Sequence, residues 1–222
     1  SIYARSYYKK ALDLLPDYTR ALNGLGNFHF FALEDWEKAV EYYEASLKAD
    51  PNGTAALFGK GASLHYIGRR AESNDLMDRV LSSDITRRSR ADAKVIRYYK
   101  TEANQYKALH YWMAGDPRKA REFVDAAKQY SADSEEVNYL SGVLHFDAGQ
   151  KPEARAQFQK LLRQGSSICK VNYYLGTLLN EESDPKAFDH YLAACSCMQA
   201  NTTSLGRQIQ AIPAMDIDPA LM

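Results

Sequence analysis

The sequence predicts an all-α protein of antiparallel helix pairs stacked in series, and three observations carry that expectation. A small residue returns in similar surroundings at Gly26, Gly61, Ala108, Gly142 and Gly176, in steps of 35, 47, 34 and 34 residues; a period between 20 and 50 marks a repeat architecture. Each is followed 11–13 positions later by a second small residue (Ala39, Ser73, Ala120, Ala154, Ala187), and four residues on by a larger apolar one (Tyr43, Met77, Val124, Phe158, Tyr191). Ala and Leu also far outnumber Ile and Val, which favours helix over strand.

The elements follow in order. The opening segment, with Ala4, Tyr8, Ala11 and Pro16, reads as the second helix of a repeat that lacks its first. Small residues let two antiparallel backbones approach, and the larger residue fills the space beside them. Pro16 and Pro51 fall where a second helix should stop. Gly68, Gly115 and Gly149 fall where a first helix should turn. Pro117, Pro152 and Pro185 sit at the first turn of a second helix, where a missing N–H costs little. The 47-residue step crosses a stretch with no Gly or Pro between Ile85 and Gly115, so one extended helix is expected over about 88–113. It carries a basic stripe, Arg87, Arg90, Lys94 and Arg97, and on another side an apolar stripe, Ala91, Val95 and Tyr98. The basic stripe reads either as a solvated face or as a docking strip for an acidic partner.

The chain has 222 residues, 45% hydrophobic, enough for one large domain or two small ones. Lys plus Arg and Asp plus Glu both total 28, a balance that argues against whole-chain binding to nucleic acid or to a membrane surface. No apolar run approaches the roughly 18 residues of a membrane helix, so a soluble protein is expected. No signal peptide is visible, and Ser1 is not an initiator, so the chain reads as processed or artificially bounded. Its compartment is open.

Catalytic patterns find little support. GTAALFGKG (53–61) has Gly61 where a phosphate loop needs Ser or Thr, and lies inside an expected helix. Cys195 and Cys197 point to different sides of a helix, and Cys169 is distant, so the three thiols are expected buried or half-buried, with no metal site and no disulfide framework. The five His share no motif and read as helix-packing residues. No enzyme, cofactor or metal is expected.

The sets Gly26/Ala39/Tyr43 with Pro51, and Gly142/Ala154/Phe158, resemble the tetratricopeptide repeat family over about residues 1–200. Repeat three departs by ending at Ile85 instead of Pro, and the usual early aromatic is absent. The resemblance implies about five full repeats plus an N-terminal half repeat, wound as a right-handed superhelical solenoid whose concave face is lined by the first helices. It implies groove positions at Asn23, Asn27, Phe30, Phe58, His65, Gln105, Trp112, Tyr139, Phe146 and Tyr173. A cationic clamp for a peptide carboxylate is disfavoured, because Ala55, Phe58, Gly59 and Ala62 stand where cations would be needed. What remains is an aromatic groove with scattered amides, suited to an extended apolar peptide.

Residues 201–212 read as a capping helix, with Leu205-Gly206 echoing Leu25-Gly26. Pro213 and Pro219 make 213–222 an extended tail. Its Met215, Ile217 and Leu221, with Ile212 before it, read either as a ligand for a groove of the same or a neighbouring molecule, which would make 211–222 a self-association segment, or as a segment docked on the outer or end surface. The function expected is a non-catalytic interaction scaffold for a protein or peptide partner. A homo-oligomeric assembly scaffold and a regulatory domain cut from a larger enzyme are the alternatives.

Overall fold

Helices form where the repeat spacing places them. The computed structural model describes residues 2–84 and 90–200, and among these every regular element is helical. The half repeat is α1 (Ile2–Leu14). Five pairs follow: α2 (Thr19–Phe28) with α3 (Trp36–Ala49), α4 (Thr54–Ile67) with α5 (Arg70–Leu81), α6 (Arg90–Met113) with α7 (Pro117–Tyr130), α8 (Glu135–Asp147) with α9 (Lys151–Arg163), and α10 (Cys169–Glu181) with α11 (Lys186–Ala200). They belong to two compact units, Ser1–Ala132 and Asp133–Met222. Ile85, Arg87, the expected capping helix 201–212 and the tail 213–222 lie outside the described residues.

The small-to-large spacing has a direct physical cause. A Cβ added to Gly26 would meet Tyr43 Cε1 at 2.7 Å, and one added to Gly59 would meet Tyr43 Cζ at 2.3 Å. The Tyr43 ring of α3 therefore occupies space that two first helices leave by having no side chain there, and it is only 1% exposed. Its hydroxyl donates to Asn27 Oδ1 at 2.7 Å. Gly61 receives Met77 in the same way, Gly142 receives Phe158, and Gly176 receives Tyr191, with approaches of 2.8, 2.6 and 2.9 Å. At α1 the pattern is half complete: Tyr8 rests on Gly24 but stays partly exposed, and Tyr3, Tyr7 and Leu14 face solvent.

Gly68, Gly115 and Gly149 adopt the left-handed backbone expected of them, at φ +94°, +79° and +70°. The first full repeat has no glycine at that point and turns differently. After α2 the chain makes a π-helical turn over His29–Leu33, and Glu34 takes φ 54°. The Asp35 N–H then donates to the His29 carbonyl at 3.0 Å, and the Asp35 carboxylate accepts from the Lys38 N–H at the start of α3.

Helix α6 is the extended element, 24 residues long. Its Lys107 side chain is buried, ion-paired to Asp78 at 2.6 Å and lying 4.8 Å from the Phe123 ring centroid, which fastens α6 to both α5 and α7. The cysteines require a correction. Cys169 and Cys197 form a disulfide with Cα atoms 5.4 Å apart, and Cys195 is free and exposed. Antiparallel closure of α10 on α11 brings the first residue of one beside the last turn of the other, although 28 residues separate them in sequence.

Gly59→Ala should lower stability by about 1–2 kcal/mol, because overpacking against the enclosed Tyr43 ring exceeds the helix propensity gained. Gly24→Ala should be near neutral, since the partly exposed Tyr8 ring can swing aside; urea unfolding of both variants checks the contrast. Thiol titration of the denatured, unreduced chain should find one reactive cysteine, rising to three after reduction. Cys169→Ser should destabilise the C-terminal unit by about 2–4 kcal/mol, as expected for opening a loop of this size.

Candidate functional site

The first helices of the N-terminal unit enclose a cavity of about 120 Å³. From α2 and the π-helical turn it takes Asn27, Phe30 and Phe31; from α4, Ala55, Phe58 and Ala62; from α6, Tyr98 and Tyr99. Tyr43 and Gly59, the ring and gap that hold α3 to α4, also line it. A cavity of roughly 150 Å³ accepts a benzene molecule, so this one suits a single apolar side chain.

The walls are packed while the rim is wet. Phe58 meets Tyr99 at 5.2 Å between centroids and Tyr106 at 5.9 Å. Phe30 contacts Tyr66 edge-on at 5.5 Å, and Tyr66 stacks on Trp36 at 5.2 Å. By contrast Phe31 is 48% and Tyr98 55% exposed, and Val95, one turn before Tyr98 and Tyr99 on α6, is 50% exposed. Two local devices create that rim. The π-helical turn sends Phe30 into the core and leaves its neighbour Phe31 outside. The additional N-terminal turns of α6 carry Tyr99 to Phe58 and Tyr98 to the cavity mouth beside it.

Amides supply the polar element. Asn27 is exposed and accepts from Tyr43, which leaves its own N–H groups as donors. Asn23 lies one turn earlier, and its Oδ1 is buried without a hydrogen-bond partner; so are Gln105 Oε1 and His110 Nδ1 on α6. His65 packs edge-on against Tyr106 at 5.1 Å. Burial, then the charges of Arg70 and His110, lowers its pKa to about 4, so at neutral pH it is an uncharged ring.

Of the residues expected in a groove, the structure brings Asn27, Phe30 and Phe58 to one cavity, with Phe30 in its 4%-exposed floor instead of its rim. His65, Gln105 and Trp112 are half-buried elsewhere on α4 and α6. Tyr139 is corrected to a core residue: it is 1% exposed and lies between the rings of Phe158 and Tyr174. Phe146 packs on Tyr174 at 5.1 Å and Tyr173 on Tyr191 at 6.0 Å, both half-buried. The residues missed are Phe31, Tyr98 and Tyr99. The signals for them were the Phe30-Phe31 doublet and the over-long repeat step. Ile212, Met215, Ile217 and Leu221 lie outside the described residues.

Among the described residues no group of three or more His, Cys, Asp or Glu could hold a metal ion, and no helix is long and apolar enough to cross a membrane. The tetratricopeptide repeat profile matches residues 4–54, 29–86 and 107–168. A Photosystem I assembly protein, Ycf3, from Acaryochloris marina (strain MBIC 11017) is 32% identical over 84 residues. That match covers 36% of this chain, and the chain spans 45% of that relative's length. Pseudomonas aeruginosa PilF has a similar structure, with TM-score 0.66 and 15% identity over 93% of this chain and 87% of its own. YrrB, described as a tetratricopeptide repeat protein with an unusual peptide-binding site, superposes with TM-score 0.54 and 16% identity, covering 90% of this chain and 97% of its own. At these identities the two structures speak for the fold.

His65 gives a pH prediction whose sign is fixed by linkage. Its pKa is depressed on folding, so between about pH 6.5 and about 4 the unfolded chain takes the proton first. The stability that neutral His65 contributes is complete above 6.5 and lost as pH falls toward 4, by about 3 kcal/mol at most. Urea titrations across that window should show His65→Phe losing less stability on acidification than the parent, with carboxylate effects cancelling in the difference.

Proposed function

This chain belongs to the tetratricopeptide repeat family, and from that premise we propose that it is an interaction scaffold that binds an extended, apolar peptide segment of a protein partner through the N-terminal unit. One large apolar side chain of the peptide enters the cavity between Phe31 and Tyr98, and Asn27 donates to the peptide backbone. The observation that carries this reading is the packed aromatic floor beneath an exposed aromatic rim. Exposed aromatics at the mouth of a small apolar pocket are the chemistry of a binding hot spot. Ordering a flexible peptide offsets much of the contact energy, so micromolar affinity is the expectation.

A second reading, assembly factor, is favoured by the similarity to the Photosystem I assembly protein. On that reading the groove holds a segment of a subunit awaiting assembly. Both readings need a protein-binding surface and neither needs catalysis.

Panning a displayed library of random 12-residue peptides against the whole chain tests the groove. Selected sequences should share a large apolar residue and bind in the micromolar range. Phe31→Ala and Tyr98→Ala should each weaken them about tenfold or more, with unfolding midpoints lowered only slightly because both rings are about half exposed. Binding that is indifferent to both substitutions would place the site elsewhere.

A further inference from the structure

The two sulfurs of the Cys169–Cys197 bond differ in access. Cys169, at the head of α10, is 0% exposed, whereas Cys197 is only half-buried in the last turns of α11. Its neighbours on the helix surface leave it uncovered: Ala193, one turn earlier, and Ser196 are both small and exposed. In thiol–disulfide exchange a thiolate must reach one sulfur of the bond, and access decides which one is attacked. A thiolate from solvent can reach Cys197 and not Cys169.

The surroundings also suit the reduced pair. The Ser167 carbonyl oxygen lies 3.9 Å from Cys169 Sγ and 3.8 Å from Cys197 Sγ, so after reduction either S–H has an acceptor in reach. The segment bearing that carbonyl is pinned from α8: the Ser166 hydroxyl and the Ser167 N–H both donate to Glu135 Oε1, at 2.6 and 2.8 Å. Contacts besides the covalent bond hold α11 to α10. Tyr191 fills the Gly176 gap, its hydroxyl donates to Thr177 Oγ1 at 3.4 Å, and His190 Nδ1 meets Asn172 Oδ1 at 2.8 Å. None of these needs the covalent link, so the two sulfurs stay close when it opens.

We infer that Cys169–Cys197 is a reversible thiol–disulfide exchange site whose co-substrate is a dithiol. One thiolate of the dithiol attacks Cys197 Sγ and forms a mixed disulfide there. The 169–197 bond breaks, and its electron pair passes to Cys169 Sγ, which takes a proton from water. The second thiol of the dithiol, once deprotonated, attacks the first, and Cys197 leaves as a thiolate that is protonated in turn. The chain gains two electrons and two protons, and the dithiol becomes a disulfide. Running the same steps backwards closes the bond again. Cys195, two residues from Cys197, points to a different side of α11 and takes no part.

The experiment exposes the folded whole chain to rising concentrations of dithiothreitol and counts thiols against time after an acid quench. The rate of reduction should rise in proportion to dithiothreitol. A rate that levels off means that the bond opens only after unfolding, and overturns the inference. With glutathione, peptide mass mapping of the quenched, N-ethylmaleimide-blocked chain should find the glutathionyl group on Cys197 at least tenfold over Cys169. An even distribution, or an excess on Cys169, also overturns it. Cys195→Ser should leave both results unchanged, and loss of exchange in that variant moves the attack to Cys195 instead. After removal of the reductant, oxidised glutathione should restore the 169–197 pair as the main product. If Cys195 competes equally for either partner, the exchange is not reversible and the inference fails.

Discussion

One interaction organises the molecule: a ring or thioether from a second helix enters the gap that a glycine leaves in a first helix. Tyr43 shows it most fully, because Gly26 and Gly59 leave room for the same ring from two consecutive repeats. Removing a Cβ at those points lets backbones come close, and the ring restores the dispersion contacts that a gap would forfeit. Contact with both neighbours makes the ring a link between repeats as well as within one. The spacing from Gly26 to Ala39 and Tyr43 is thus a packing specification written in sequence, and Met77, Phe158 and Tyr191 meet the same one.

The candidate site grows out of that arrangement where the repeat pattern is broken. Tyr43 and Gly59 form part of the cavity lining, so the site is continuous with the core. Two irregularities then add what a regular repeat would lack. The π-helical turn His29–Leu33 leaves Phe31 half exposed, edge-on to the buried Phe30. The long α6 contributes Tyr98 and Tyr99. Such π-helical insertions are frequent at functional sites, and here the insertion and the over-long helix meet at the same cavity.

The pair order and the turn positions were legible in the sequence because they depend on local spacing and on residues with special backbone preferences. Gly68, Gly115 and Gly149 announced their turns, whereas Glu34 could not: nothing about a glutamate signals a left-handed backbone. Which aromatics form a site was less legible, because core and rim draw on the same residue types. Phe30 and Phe31 are adjacent and chemically identical, and only the turn between helices assigns one to each role. Tyr139 occupies a position that faces a groove in the family pattern, yet it is buried against the rings of Phe158 and Tyr174. The Cys169–Cys197 bond was hidden for another reason: two residues far apart in the chain become neighbours only once α10 and α11 close as a pair.

That bond also governs how the C-terminal pair carries a mechanical load. Tension applied beyond Ala200 enters the last turn of α11 and, three residues back, reaches Cys197. From there it crosses covalently to Cys169, at the head of α10, which is fully buried. The stretch from 169 to 197 is a closed ring, so force passes around it and the intervening α11 is not peeled from α10. With the bond reduced, the same pull acts on α11 from its C-terminal turn, unzipping it turn by turn against Ala194, Tyr191 and Ala187. The redox state of two cysteines thus decides whether this end of the molecule behaves as an anchor or as a peelable strip.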